Sequence, residues 1–488
     1  MIKGLKLSVA VLALMAGSAM AQESITLAMV LEPPNFDPTS GAAAAIREVT
    51  HLNLYEGLTR FGPDGSIHPA LAKSWKVSED GKVWTFALVE GAKFHDGSAF
   101  DAEDVKFSLD RARAADSTNA QKHLFSNIED VTVLSPTSVQ VTLKQPSGNF
   151  DFNMAWGDAV IMAPESAATN ATNPVGTGPY KFVNWTQGDR VELEVNADYW
   201  GEKPSIPRAT FKFIADPTAA FAAMMSGDVD YFPSYPAPET LSNFEGNADY
   251  KVLKGTTEGE TVLGINNKKA PLDNVKVREA IAHAINRQEI IDGAMFGYGT
   301  PIGTHFAPHH PDYTDLTELS SFDPEKSKAL LAEAGVKELK LRLALPPPTY
   351  ARRGGEIVAS QLRNVGIETE ITNMEWAQWL EQVFKGKDFD LTIISHVEPA
   401  DTNIYARPDY YFQYGKPEFV AIMDELAVTT DAAKRSELNK AAQKMISEDY
   451  VNGYLFQLAK AGVAKANLTG MWENWPAPIN DVAALKWE

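Results

Sequence analysis

From Leu339 to Ser395 the hydrophobic period switches back and forth between two values. Leu339–Leu345 alternates as a strand, Ile357–Val365 repeats at helical spacing, and Ile367–Thr372 alternates again. Trp376–Phe384 is helical and Phe389–Ser395 returns to a strand. Short strands separated by helices feed a parallel sheet through crossover connections, which commits this part of the chain to an α/β fold. Upstream, Asp273–Phe296 is expected as one long amphipathic helix, with Val277, Ala280, Ile281, Ala284 and Ile285 on one face and Gly297 at its end. Asp323-Pro324 starts a further helix that Gly335 stops.

The first half is less regular. Ser24–Val30 alternates as a strand and runs into a loop stiffened by Pro33, Pro34 and Pro38. Lys82–Phe94 suits a half-buried hairpin closed near Glu90-Gly91, and Asp101–Ala112 is a helix with Glu103 and Asp104 in its favoured first turn. Ser138–Leu143 and Val191–Val195 read as strands; Thr218–Met225 is a short helix ended by Gly227 and followed by the strand Val229–Phe232. A length of 488 residues allows two to four domains at roughly 100–200 residues each. The natural reading is two α/β lobes, the first carrying a hairpin-rich insert. No repeat indicates a solenoid or propeller.

The N-terminus bears on compartment. A cationic start, Met1–Lys6, precedes the apolar run Leu7–Ala16 and the small-residue site Ala19-Met20-Ala21, the pattern of an export signal cleaved after Ala21. The run is too short for a membrane span, which needs about 20 apolar residues. Loss of Lys3 and Lys6 takes the net charge from −20 to −22. That balance argues against nucleic-acid binding, which needs clustered cations. The chain has no cysteine. This removes disulfides, thiolate metal sites, a thiol nucleophile and a lipid-anchored N-terminal cysteine, and it suits a free periplasmic protein.

Four stretches carry a resemblance. The first runs from Leu71-Ala72-Lys73-Ser74-Trp75 through Asp80-Gly81-Lys82-Val83-Trp84-Thr85-Phe86 and Phe94-His95-Asp96-Gly97 to Ala102-Glu103-Asp104-Val105. The second is Pro174-Val175-Gly176-Thr177-Gly178-Pro179-Tyr180, with Asn196-Ala197-Asp198-Tyr199-Trp200-Gly201 downstream. The third is Met225-Ser226-Gly227-Asp228-Val229-Asp230. The fourth joins Gly264-Ile265-Asn266-Asn267 to Pro271–Ile281 and Ile285-Asn286-Arg287. In this order and at these separations they resemble the extracytoplasmic solute-binding proteins, family 5, of peptide-type ABC importers. The resemblance implies a two-lobed periplasmic-binding-protein fold that closes on a hinge around a short peptide, an opine, a nickel chelate or an oligosaccharide. It also implies a permease as partner, a monomer, no cofactor and no catalysis. The lobes would comprise residues 22–264 with 456–488, including an insert over about 50–175, and residues 265–455. The chain would cross near Thr261–Asn267 and return near Gly453–Lys460.

Most motif residues have a plain packing explanation. Trp75, Trp84 and Phe86 suit a core, Asp96-Gly97 suits a turn, and Gly176-Thr177-Gly178 lacks the lysine of a phosphate loop. No nucleophile elbow, zinc-protease motif or S-x-x-K is present, although a carboxylate pair of a secreted hydrolase remains a rival, as does a sensor or chaperone-like role. His305, His309 and His310 suggest either a labile metal site or an exposed proline-rich loop.

The segment after the strand Phe389–Ser395 should select the ligand, because α/β folds place ligands at strand C-termini. It holds His396, Glu398, Asp401, Tyr405 and Arg407. In the peptide-binding members an acid in this loop pairs with the ligand's ammonium. Asp401 is the best match, with Glu398 in reserve; the alternative for Asp401 is a cap on a helix starting near Thr402. Arg407 could clamp an anion or pair with Asp409. Glu32 and Pro33, after the first strand, and Trp156, Gly157 and Thr177 complete the expected first-lobe contacts. Trp376 and Trp379 would either floor the pocket or fill the core.

Overall fold

The computed structural model describes residues 23–41, 43–399 and 401–488, so the expected export signal lies outside the described residues. One hydrogen-bonded path of strands runs through the molecule. It passes from Ile367–Asn373, Leu339–Leu345 and Leu391–His396 to the long strands Tyr250–Ile265 and Gly453–Lys465. It continues through Tyr231–Phe232, Ser24–Met29, Arg208–Phe213 and Arg190–Val195 to Tyr180–Thr186. The first three are parallel, as the strand–helix alternation requires. A separate antiparallel sheet of Ala72–Val77, Val83–Leu88, Ser138–Leu143 and Ile128–Ser135 carries the helix Ala102–Arg113 against it.

The cores divide along the same line. Two clusters draw their buried members from Val262 to Phe456, around Ile281, Leu343 and Ile393 in one and Trp379, Tyr411 and Phe419 in the other. The remaining clusters draw theirs from Ile25 to Phe244 and from Val463 to Leu485. The two long strands run from one set to the other, the first of them largely half-buried up to Gly255 and buried from Gly259 to Ile265. They pair antiparallel, but the register slips between Thr256 and Glu260, so Thr257, Glu258 and Gly259 form a bulge. Bulges bend a strand and re-aim its side chains, and this one turns Glu258 into the gap between the lobes. Among the described residues no helix is long and apolar enough to cross a membrane.

Three expected elements differ. The long helix Asp273–Phe296 is two helices, Val275–His283 and Arg287–Met295. Asn286 caps the second by accepting from the Glu289 N–H, and the buried Gln361 amide binds both the N–H and the carbonyl of Asn286. Apolar spacing continues across the break, which hides it. Lys82–Phe94 is no hairpin: Val83–Leu88 lies between Ala72–Val77 and Ser138–Leu143, and Gly91 turns the chain away with φ +76°. The helix expected at Ile357 begins at Thr349, because Gly354 and Gly355 lie inside it; a Cβ on Gly355 would stand 2.3 Å from Leu345 Cδ1. Trp84 and Phe86 are core as expected, and Trp75 packs against them half-buried.

Candidate functional site

Between the lobes lies a cleft of about 550 Å³. Trp156, Tyr235, Tyr298 and Trp475 line it on the side of the first strands, Met295, Glu398 and Pro399 on the other, and Glu258 with Lys460 on the two long strands. The aromatic side offers apolar area with few polar atoms, the usual make-up of a small-molecule pocket. One of those atoms is the Trp156 indole N–H, which is buried and without a partner among the described residues. A second opening of about 570 Å³, lined by Thr402, Asn403, His310, Asp151 and Arg435, lies on the other side of the 398–403 segment. Asp401 itself lines neither opening, and its side chain is 14% exposed.

Asp401 is held by two imidazoles. His305 Nε2 lies 2.7 Å from Oδ1 and His396 Nδ1 lies 3.4 Å from Oδ2. Each ring is fixed from behind by a tyrosine: His305 Nδ1 is 3.0 Å from the Tyr405 hydroxyl and His396 Nε2 is 2.9 Å from that of Tyr411. Asn452 Nδ2 donates to the Tyr405 hydroxyl in turn. Burial raises the Asp401 carboxyl, but His305 and then His396 outweigh it and hold the group well below the usual carboxylate range. A second pair adjoins the first. His309 Nε2 is 2.7 Å from Glu258 Oε1, and its Nδ1 is 2.7 Å from the Thr256 hydroxyl. Burial pushes Glu258 up against the pull of His309. Glu260, two residues on, is pushed up further, by burial and then by the charges of Glu258 and Asp401. Its cross-strand neighbours are His396 and Gln457. Burial also lowers Lys460 to about 8, with Glu48 opposing, while its ammonium donates to the Trp472 carbonyl at 2.9 Å.

Of the residues singled out from sequence, Trp156 and Glu398 line the cleft. His396, Asp401 and Tyr405 form the cluster beside it. Asp401 opens a 3₁₀ turn, Asp401–Ala406, rather than capping a helix that starts after it. The others lie elsewhere. Glu32 accepts from Trp185 Nε1 and the Gly188 N–H, and Pro33 beside it is buried on the same loop; neither lines the cleft. Thr177 is buried and donates to Glu56 at 2.8 Å. Gly157 packs under Arg47, where a Cβ would stand 3.0 Å from that side chain. Trp379 is core, its indole donating to Thr392, and Trp376 is 42% exposed, so neither floors the cleft. Arg407 lies over the Tyr410 ring, 4.7 Å from its centroid, and among the described residues no ion pair joins it to Asp409. The expected exposed histidine loop is also corrected: His305 and His309 are buried, because each imidazole has a carboxylate partner inside the fold. The sequence reading missed Glu258, Glu260, Lys460 and Trp475. The signal available was a run of strand-like residues carrying acids at alternate positions, Glu258 and Glu260.

The model of bacterial extracellular solute-binding proteins, family 5 Middle, matches residues 66–417. The chain belongs to the bacterial extracellular solute-binding proteins, family 5. The nickel-binding periplasmic protein of Escherichia coli (strain K12) is 30% identical over 85% of this chain and 86% of the relative. The glutathione-binding protein GsiB of the same strain is 29% identical over 94% of each. In fold, this family 5 protein matches the structure of HbpA2 from Haemophilus parasuis with a TM-score of 0.87, 22% identity, and 95% and 100% of the two chains covered. A two-lobed periplasmic-binding-protein fold and a solute-binding role therefore stand together. As a family 5 member the chain is a solute-binding protein.

Proposed function

We propose that this protein is the periplasmic substrate-binding component of an ABC importer, exported with cleavage after Ala21 and acting as a monomer. It captures a short peptide by hinge closure and delivers it to the membrane permease. The observation that carries this reading is the cleft itself, whose walls come from both sets of cores and whose back is the pair of long strands. We take the lobes as 22–264 with 456–488 against 265–455; the separation of the cores supports this division, with Val262, Leu263 and Phe456 packing in the second set, and the bulge at Thr257–Gly259 would lie beside the crossing. Closure over that bulge brings the aromatic wall toward Glu398 and excludes water, which strengthens each polar contact.

A cleft of about 550 Å³ suits a peptide of two or three residues. Glu398 faces the cleft and, among the described residues, bonds only to the Val397 N–H, which leaves it able to take the peptide ammonium. Asp401 is already engaged by histidines and acts from behind. The Trp156 N–H is a donor for a peptide carbonyl. The carrying test is calorimetry of the mature protein against di- and tripeptides and glutathione. Glu398→Gln should weaken peptides with a free N-terminus about tenfold, the value of one charge-assisted contact, and leave N-acetylated peptides unchanged. Equal weakening of both would remove Glu398 from the ammonium role. Absence of any peptide binding would end the peptide reading, and turnover of a peptide would end the binding-protein reading.

A further inference from the structure

We propose that His305, His396 and Asp401 form a direct binding site for a divalent late first-row transition-metal ion. The site belongs to this chain's own side chains and does not depend on which solute the cleft takes. Its donor atoms already converge: His305 Nε2, His396 Nδ1 and an Asp401 oxygen all lie within 4.8 Å of one another. A metal bound at about 2.0–2.2 Å from each donor needs separations of roughly 3–4 Å. The 2.7 Å contact to Asp401 Oδ1 therefore has to lengthen by some tenths of an ångström, and the widest donor separation, no more than 4.8 Å, has to close by up to about 1 Å. Two imidazoles and one carboxylate are a donor set that suits zinc, nickel or cobalt and leaves positions open for water or solute.

The surroundings are those of a positioned site. In both rings the nitrogen remote from Asp401 meets a tyrosine hydroxyl, so a ring that gives its near lone pair to a metal can donate its remote N–H to that oxygen. Asn452 fixes Tyr405 from behind. The three donors also come from rigid elements. His396 ends the strand Leu391–His396, and Asp401 opens the turn Asp401–Ala406. His305 follows Gly303 and Thr304, which are bound to the helix Ala432–Glu448 through Ser447 and Gln443. On its other side Gly303 lies against the Leu316–Thr317 backbone, where a Cβ would stand 2.1 Å from the Leu316 carbonyl carbon. The site is buried yet accessible, because the Asp401 side chain is 14% exposed beside the second opening.

Metal-stripped mature protein titrated with ZnCl2, NiCl2 and CoCl2 alone tests this directly. One equivalent should bind, and Co²⁺ should develop visible d–d bands of a low-coordinate nitrogen–oxygen site. His305→Gln and Asp401→Asn should each weaken binding more than about 100-fold. Tyr405→Phe, which touches no metal, should weaken it about tenfold as a supporting group. The exposed His123→Gln should change nothing. Wild-type protein that binds none of the three ions, or a Co²⁺ spectrum and stoichiometry unchanged in both His305→Gln and Asp401→Asn, would overturn the proposal. Melting curves without metal identify a variant that fails to fold; the wild-type stoichiometry and Co²⁺ spectrum still decide the question in that case.

Discussion

Glu56 in the first lobe receives hydrogen bonds from the Thr177 hydroxyl, the Tyr199 hydroxyl and the Trp200 indole, at 2.8 to 2.9 Å. Asp401, at the edge of the cleft, instead faces two imidazoles and keeps a path to water. Both carboxyls are removed from most solvent, but by different means. Around Glu56 the donors are neutral and close every side, and burial still raises the carboxyl. Around Asp401 the partners are titratable and metal-ligating groups, and the carboxyl is held low. The first arrangement is a pin that joins two parts of one sequence motif, and the second is a carboxylate held between two imidazoles. Thr177 looked like a ligand contact in sequence because it sits in a glycine turn; its hydroxyl points inward to Glu56.

The largest effect that could break this contrast is on stability. Glu56→Ala leaves three buried donors without an acceptor, and should cost roughly 3 kcal/mol or more in urea unfolding. Glu56→Gln, which keeps an acceptor oxygen, should recover most of that. If Glu56→Ala melted like wild type and lost solute affinity instead, the pin and the site would have been confused. Next, Asp401→Asn should cost about 2 kcal/mol, less than Glu56→Ala, because its oxygens retain access to water and an amide can still accept from His305. A larger loss than for Glu56→Ala would make Asp401 the structural member of the pair. Thr177→Val removes one donor of three and should cost about 1 kcal/mol with solute affinity unchanged. A drop in affinity with an unchanged melting temperature would restore Thr177 as a contact.

A further test concerns pH, and uses the buried pair Glu48 and Lys460, where burial favours both neutral forms. Glu48 titrates near 7 in the fold and near 4.5 when free, so the folded state binds more protons between them and stability falls as pH rises through that range. Lys460 titrates near 8 in the fold and near 10.5 when free, so the unfolded state binds more protons there and stability rises with pH. Urea midpoints between pH 5 and 10 should therefore pass through a shallow minimum between about 7 and 8. Lys460→Met should erase the alkaline rise. A rise that survives in Lys460→Met would assign it to another group.

Local chemistry made much of the fold legible. The helix starting at Ala102 begins where Asp101 and Asp104 form a reciprocal cap, and Gly227 ends its helix in a left-handed turn with φ +79°. Such signals lie within a few residues of what they control. The break at Asn286 does not, since Gln361, 75 positions later, completes it. The site follows the same division. The 396–407 segment stood out as a candidate because it follows a strand and is dense in polar and aromatic groups. The partner of Asp401 was not, because His305 is 96 positions away and its proline-rich neighbourhood resembles a surface loop.

Sequence alone determined the strand and helix pattern, the family motifs and the chemical inventory of the loop, because propensity, capping and turn chemistry act over a few residues. Tertiary structure alone decided which acid is a pin and which belongs to a cluster. A carboxylate's role depends on the groups that face it once water is excluded. For Glu56 and for Asp401 those groups come from distant parts of the chain.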